Sequence, residues 1–252
     1  MALEKEVALA QRWLDETDAL ALEHFKVGTL TEIKPDGTPV TAGDKAVERS
    51  LRRHIGDEFP GDAILGEEEG ATDGGERRWI IDPIDGTKNY ARGIPVFATL
   101  IALEEAGQVV FGIVSAPAFE ERWWATRGGG AFASGAPIHV STIDRIEEAD
   151  VITGGDDWAL SQASAYASLL TRVRRQRGFG DFWGHMLVAQ GSAEAMIDFA
   201  PLARWDIAAP SLIVREAGGR VTGLTGSGLG EGPTLSSNGA VHEEVLAVLS
   251  SG

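Results

Sequence analysis

The run Asp82-Pro83-Ile84-Asp85-Gly86-Thr87 sets two carboxylates three residues apart, directly after the apolar triplet Trp79-Ile80-Ile81. Carboxylates held this close repel each other unless a cation neutralises them. Hard oxygen donors of this kind suit Mg²⁺. Pro83 is expected to stop regular strand pairing and to set a turn. With a helix starting just past Asp85, the backbone amides of Gly86 and Thr87 would face a phosphate at its positive end. The same residues also fit an Asp-Pro turn in which Asp85 only caps the next helix.

Three further acidic positions carry the same double reading. Gly66-Glu67-Glu68 follows Ile64-Leu65, so Glu67 sits where a buried strand emerges, yet three acids in a row also make a solvated loop. Asp206 in Trp205-Asp206 opens a helix, as a metal ligand or as an N-cap. Asp44 begins another helix, where an acid is favoured by the helix dipole alone. His24, His54, His139, His185 and His242 are scattered without a His-x-His or His-Glu-x-x-His spacing, and none is expected to be a ligand. The tryptophans read as core or rim.

These side chains need elements to hold them. Leu3, Val7, Ala10, Leu14, Ala21 and Phe25 recur at helical spacing, which predicts an amphipathic helix over 3–25. Val27–Pro39 is turn-rich around Lys34-Pro35-Asp36-Gly37. A helix is predicted from about Thr41 to Asp57, then strands at Ala63–Gly66 and Trp79–Ile81. Val96–Leu103 with Val109–Ser115, and Arg122–Ala125 with Ala131–Phe132, read as hairpins, with Ala136–Ser141 alongside. The second half alternates. Strands are predicted at Val151–Thr153, Ala195–Phe199, Val221–Leu224 and Thr234–Ser237. Helices are predicted at Trp158–Arg175, Phe182–Gln190, Trp205–Ala217 (stopped by Gly218-Gly219) and His242–Leu249. Arg172–Arg177 reads as a solvated basic face. An antiparallel first half followed by alternation predicts two packed subdomains, 1–145 and 146–252, in one compact α/β unit.

Composition narrows the function classes. Acids outnumber bases 38 to 22 across 252 residues, a formal charge of -16. That disfavours a nucleic-acid partner or an anionic membrane surface. The absence of cysteine removes disulfides, thiolate metal sites and cysteine nucleophiles. The longest apolar run, near Val96–Leu103, is far too short to span a bilayer. The start, Met1-Ala2-Leu3-Glu4-Lys5-Glu6, lacks a secretory pattern, so a cytoplasmic location is expected.

Taken in order, the segments from Lys34 to Asp44, Gly66-Glu67-Glu68, Trp79 to Asn89, Trp205-Asp206-Ile207-Ala208-Ala209 and Glu216-Ala217-Gly218-Gly219 resemble the inositol monophosphatase superfamily over nearly the whole chain. The resemblance implies a layered α-β-α-β-α sandwich of the inositol monophosphatase and fructose-1,6-bisphosphatase type, usually a homodimer. It implies Mg²⁺-dependent hydrolysis of a small phosphomonoester, with two to three ions. Glu67, Asp82 and the carbonyl of Ile84 would bind one ion. Asp82, Asp85 and Asp206 would bind a second, and a weaker third would sit near Glu67. Two such ions about 3.5–4 Å apart clamp an in-line phosphoryl displacement. Thr87 and Asp44 would orient or deprotonate the attacking water, beside Glu67, and no histidine base is then required. The amides of Gly86 and Thr87 would hold the phosphate. Glu68 would support the ligands, and Lys34 would lie near them.

Thr87 to Pro95, Ser115-Ala116-Pro117-Ala118, Arg122-Trp123-Trp124-Ala125 and Gly178 to Trp183 look like the histidinol-phosphate phosphatase branch of that superfamily. Histidinol carries an ammonium and an imidazole, so its pocket should offer carboxylates and an aromatic face. Asp181 and Asp198, with Asp206, are the expected substrate contacts, although Asp181 also reads as a cap for the helix after it. The alternatives are an inositol-1-monophosphatase or broad sugar-phosphate phosphatase, and a non-catalytic binding protein of the same fold.

Overall fold

The computed structural model describes residues 3–25, 31–35, 37–155, 163–225, 229 and 232–250. Helices α1 (Glu4–His24) and α2 (Ala42–Glu58) pack on one face of a large sheet. The sheet holds β3 (Ala63–Gly66), β4 (Gly70–Ala71), β5 (Arg77–Asp85), β6 (Ala98–Glu105), β7 (Gln108–Ala116), β8 (Glu121–Thr126), β9 (Gly130–Ala133) and β10 (Ala136–Ile138). Their spatial order is β10-β9-β8-β7-β6-β5-β3-β4. All neighbours are antiparallel except β3 and β5. A short ribbon of β1 (Thr31–Ile33) and β2 (Pro39–Thr41) precedes α2.

A second sheet combines β11 (Asp150–Gly154), β12 (Arg175–Arg177), β13 (Ala195–Leu202), β14 (Arg220–Gly223) and β15 (Gly232–Ser237), in the order β12-β11-β13-β15-β14. Between the sheets lie α5 (Asp181–Ala189) and α6 (Arg204–Glu216). Outside the second sheet lie α4 (Ala163–Arg172) and α7 (His242–Ser250). The layers therefore run α-β-α-β-α. A five-residue helix, α3 (Thr87–Ala91), follows β5.

Strand alternation builds the layers. On β5 and β6, Trp79, Ile81, Ile101 and Leu103 face α1 and α2, while Ile80, Leu100 and Ala102 face α5 and α6. In the second sheet, Val151 and Ile197 face outward to α4 and α7, and Ile152 and Met196 face inward. Helix and sheet approach closely at Gly112 of β7, where an added Cβ would stand 2.9 Å from the Cα of Ala209. That contact sets α6 tightly on the large sheet.

Three local expectations change. Pro83 does not end β5, which runs on to Asp85 with only a break in register against β6 between Asp82 and Asp85. The helix expected at Trp158–Arg175 appears as Ala163–Arg172 within the described residues, and Trp158 lies outside them. Arg175–Arg177 is instead edge strand β12. Its arginine run is not simply a solvated face, because Arg174 and Arg175 both donate to the buried Asp150 carboxylate.

Candidate active site

Two carboxylates three apart on a regular strand would point to opposite faces, because side chains alternate with period two. The break at Pro83 changes this. Proline has no N–H for the ladder, and its carbonyl instead accepts from Thr99 Oγ1 at 2.8 Å. Asp85 is thereby turned to the same side as Asp82, toward the inner helical layer. There α6 supplies Asp206 in its first turn. The three carboxylates each offer an oxygen within 4.8 Å of the others.

The cluster has the features of a cation site. Asp82 Oδ1 is buried and has no hydrogen-bond partner among the described residues. Burial raises the Asp82 pKa well above the ordinary carboxylate range, and the charges of Glu67, Asp85, Asp206 and Asp44 add to it. Burial, then Asp181 and Asp206, do the same to Asp85. Asp206 is pushed up to about 7, first by burial and then by Glu67 and Asp181, despite its hydrogen bond from Ala203 N–H. Hard oxygens that repel one another and leave a buried lone pair unmet fit Mg²⁺.

Asp206 is not the N-cap of α6, a position held by Ala203, but the third residue of its first turn. Its Oδ2 accepts the Ala203 N–H at 2.7 Å, which closes the first turn of α6. The rest of the carboxylate faces the cluster. Asp85 does not cap α3 either: Gly86 is the N-cap, with φ at +83° and no side-chain cap bond. Asp85 Oδ2 takes the Phe182 N–H of α5 at 2.5 Å. It therefore ties the large sheet to the inner helix.

Gly86 is confined by more than its φ. An added Cβ would stand 2.8 Å from the Val96 carbonyl oxygen. Gly86→Ala is expected to destabilise the fold by about 1–3 kcal/mol, read as a lowered Tm in thermal unfolding.

Next to the cluster, Thr87 Oγ1 lies 3.0 Å from the Ile84 carbonyl oxygen and 3.4 Å from Asp44 Oδ1. Asp44 is fully buried in a capping box, its Oδ2 accepting the Thr41 N–H at 2.8 Å. Burial is the main reason its pKa stands above the ordinary value, opposed by the Thr41 hydrogen bonds.

Glu67 stands apart from the group of three. Its Oε1 accepts from Lys34 Nζ at 2.6 Å, and Glu68 Oε1 accepts from the same ammonium at 3.0 Å. Burial presses the Lys34 pKa down, but its bonds to Glu67 and Glu68 outweigh this and leave it raised. Glu68 rises to about 7, by burial first and then, among the raising influences, by the charge of Glu67.

Asp181 does not cap α5. Gly180 holds that position, and the Asp181 side chain instead accepts from Asn89 Nδ2 at 3.2 Å. Its backbone is left-handed, with φ at +56°. Burial raises its pKa, opposed by Lys88. Asp198 is placed differently from the expectation. It is buried behind Gly154, where an added Cβ would meet Asp198 Oδ2 at 3.0 Å, and it does not line the cleft.

The cleft encloses about 540 Å³. Glu67, Asp82, Asp85, Thr87, Asp181 and Asp206 all line it, together with Gly86, Ile84 and the exposed ring of Phe179. The histidines are elsewhere. His185 pairs with Ser236, and His242 with Thr222 and Ser237. Burial holds both pKa values down to about 4, so both are neutral core groups.

The sequence reading missed two supports. Glu48 is fully buried and accepts the N–H groups of Glu68 at 2.8 Å and Glu69 at 3.0 Å, beside the Arg52 guanidinium. It fixes the turn that carries Glu67. The available signal was a Glu–Arg pair four apart whose Glu falls on the apolar stripe of Val47, Leu51 and Ile55. Asn89, which holds Asp181, had no local signal.

The profile of the inositol monophosphatase family matches residues 5–251. Histidinol-phosphatases of Streptomyces coelicolor and Mycobacterium tuberculosis are each 43% identical to this chain. The matches cover 97% and 98% of this chain, and 96% and 98% of those proteins. An inositol monophosphatase structure from Thermotoga maritima superposes with a TM-score of 0.90 at 33% identity, covering 98% of this chain and 97% of that one. This chain, with its carboxylate cluster, belongs to the inositol monophosphatase family of phosphomonoester hydrolases.

Proposed function

We propose that the protein is a Mg²⁺-dependent histidinol-phosphate phosphatase that converts L-histidinol phosphate and water to L-histidinol and phosphate, a late step of histidine synthesis. The observation that carries the hydrolytic part is the group Asp82, Asp85 and Asp206 with its unmet Asp82 Oδ1. The full-length likeness to two histidinol-phosphatases supports the substrate. A cytoplasmic homodimer is the working form we infer, from the family alone.

Asp82, Asp85 and Asp206 would hold one ion, and Asp82 with Glu67 and the Ile84 carbonyl another. Lys34 holds Glu67 by Oε1, which leaves Oε2 for an ion. A third ion near Glu67 would compete with Lys34 for the same carboxylate. When bound, Mg²⁺ supplies the positive charge that holds the phosphate and makes water a better nucleophile at neutral pH. The Thr87 hydroxyl, set between Asp44 and the Ile84 carbonyl, orients the attacking water and passes its proton toward Asp44. The first amides of α3 have no intrahelical acceptor and face the phosphate. Thr87→Val is expected to lower kcat by about a hundredfold with KM changed little, as steady-state phosphate release would report.

Asp181 is the residue we infer for the substrate ammonium. An arriving cation reverses the penalty that burial places on its ionised form. Asp181→Asn is expected to lower kcat/KM for L-histidinol phosphate about tenfold or more, mainly through KM. Hydrolysis of p-nitrophenyl phosphate, which has no ammonium, should be nearly unchanged. The deciding experiment compares L-histidinol phosphate with myo-inositol 1-phosphate, with Mg²⁺ and with chelator. A preference for the inositol ester would sink the substrate reading. Activity that survives chelation would sink the metal reading.

A further inference from the structure

A second cleft, of about 440 Å³, is lined by Arg127, Arg204 and Arg215 and by one carboxylate, Glu216, so basic side chains outnumber acidic ones there. It lies between the β6–β7 turn, the β8–β9 turn and the flank of α6. The three guanidiniums are held differently. Arg204 Nη2 donates to Glu104 at 2.6 Å. Arg127 Nη1 donates to the uncharged side chain of Gln108, and Arg215 Nη2 to the Val221 carbonyl at 3.2 Å. Among the described residues, neither Arg127 nor Arg215 has a carboxylate in ion-pair range.

Glu216, the neighbour of Arg215, is otherwise engaged. Its two oxygens accept the N–H groups of Gly128 at 2.9 Å and Gly130 at 3.1 Å. This pins the hairpin that carries Arg127 against α6. Partial desolvation first, and then the charges of Arg204 and Arg127, hold the Arg215 pKa below the ordinary arginine value. With Arg204 paired to Glu104, Arg127 and Arg215 carry the unpaired positive charge of the cleft among the described residues. Like charges gathered in one concavity are relieved by a counter-ion. Guanidinium forks match the oxygens of a phosphate in spacing and in donor number.

We propose that this cleft binds a phosphate group, as inorganic phosphate or on a small phosphorylated metabolite, at a site separate from the catalytic carboxylates. Arg215 is nine residues beyond Asp206 on α6, about 14 Å along the helix axis. The cleft volume suits a small molecule, and the charge of -16 would repel a polyanion.

The test uses the full chain freed of metal with chelator, where the catalytic carboxylates repel phosphate. Inorganic phosphate and glycerol 2-phosphate are titrated calorimetrically at constant ionic strength, with chloride as the control. Saturable binding near one per chain is expected, weakened about tenfold or more in Arg127→Gln and in Arg215→Gln. Arg127 is exposed on a hairpin, so its variant probes the site without disturbing the core. Asp82→Asn should bind phosphate as the wild type does. Tighter binding of glycerol 2-phosphate than of inorganic phosphate would support a metabolite as the ligand, and equal binding would support phosphate itself. The proposal fails if the wild type shows no saturation, if chloride matches phosphate, or if both arginine variants bind unchanged. It also fails if Asp82→Asn alone abolishes binding.

Discussion

Asp82→Asn is expected to cut metal-dependent phosphate release by about a thousandfold or more while making the metal-free protein more stable. The two effects have one cause. Asp82 is the most crowded of the three carboxylates, with a buried oxygen that nothing in the described structure satisfies. Removing its charge removes the proposed cation ligand and also a like-charge repulsion. The stabilisation should be about 1–3 kcal/mol, or several degrees in Tm for a chain of this size.

The pH dependence separates this from a generic stabilising substitution. Burial and repulsion place the folded pKa values of Asp82, Asp85 and Asp206 above their unfolded value, which is about 3.9. The folded state thus binds the protons more tightly. The stability this contributes is fully present below about pH 4 and is lost as pH rises through the folded pKa values, which for Asp206 is about 7. Metal-free wild type should therefore lose Tm between pH 4 and about 7, and Asp82→Asn should lose less. Added Mg²⁺ should raise Tm in the wild type by binding the folded state alone, and far less in the variant. Calorimetric scans with and without chelator would check each part. Equal Mg²⁺ shifts in both proteins would remove Asp82 from the metal site.

Glu48→Ala is the second large effect, and it falls on a residue outside the cleft. The Glu48 carboxylate is fully buried, bridges Arg52 to the N–H groups of Glu68 and Glu69, and lies against Gly66. An added Cβ on Gly66 would approach Glu48 Oε1 to 2.2 Å, so the two positions are fitted to each other. Truncating Glu48 leaves two amides without their acceptor and takes from the partly buried Arg52 guanidinium its buried partner, leaving it, among the described residues, only the Gly70 carbonyl and the more exposed Glu69. A loss of about 3–5 kcal/mol is expected, measured by denaturant unfolding. Because the turn carries Glu67, activity should fall even at temperatures where the variant remains folded. Glu48→Gln keeps acceptor oxygen for one amide and should recover part of the stability. Full activity in a folded Glu48→Ala would show that the turn needs no such anchor.

Much of this protein was legible in its residues. Helical spacing located α1 and α2, and the apolar runs located β3 and the hairpins of the large sheet, because amphipathic periodicity is local information. Asp85, Asp206, Thr87 and Asp44 could be singled out because each sits near an element end, where a polar side chain is both permitted and held, whereas Asp82, inside β5, stood out by its spacing from Asp85 after an apolar triplet. Their individual signals stayed double, since a cap and a ligand use the same side chain in the same place. Asp206 shows how the two uses can share one side chain: from the first turn of α6 it accepts the Ala203 N–H and also lies within the carboxylate cluster.

What the tertiary structure alone decided is orientation across long chain separations. Period two would have sent Asp82 and Asp85 to opposite faces, and only the register break in a strand that continues through Pro83 brings them together. The close seat of α6 on Gly112 carries Asp206 from the other half of the chain to meet them. Asp181, which also read as a cap, accepts instead from Asn89, 92 positions away, while Asp85 took the α5 amide. Asp198 went behind Gly154 instead of into the cleft. Local sequence fixes which residues are polar, rigid and at an edge. It does not encode which backbone amide will reach a carboxylate first, because that competition is settled by the packing of whole layers.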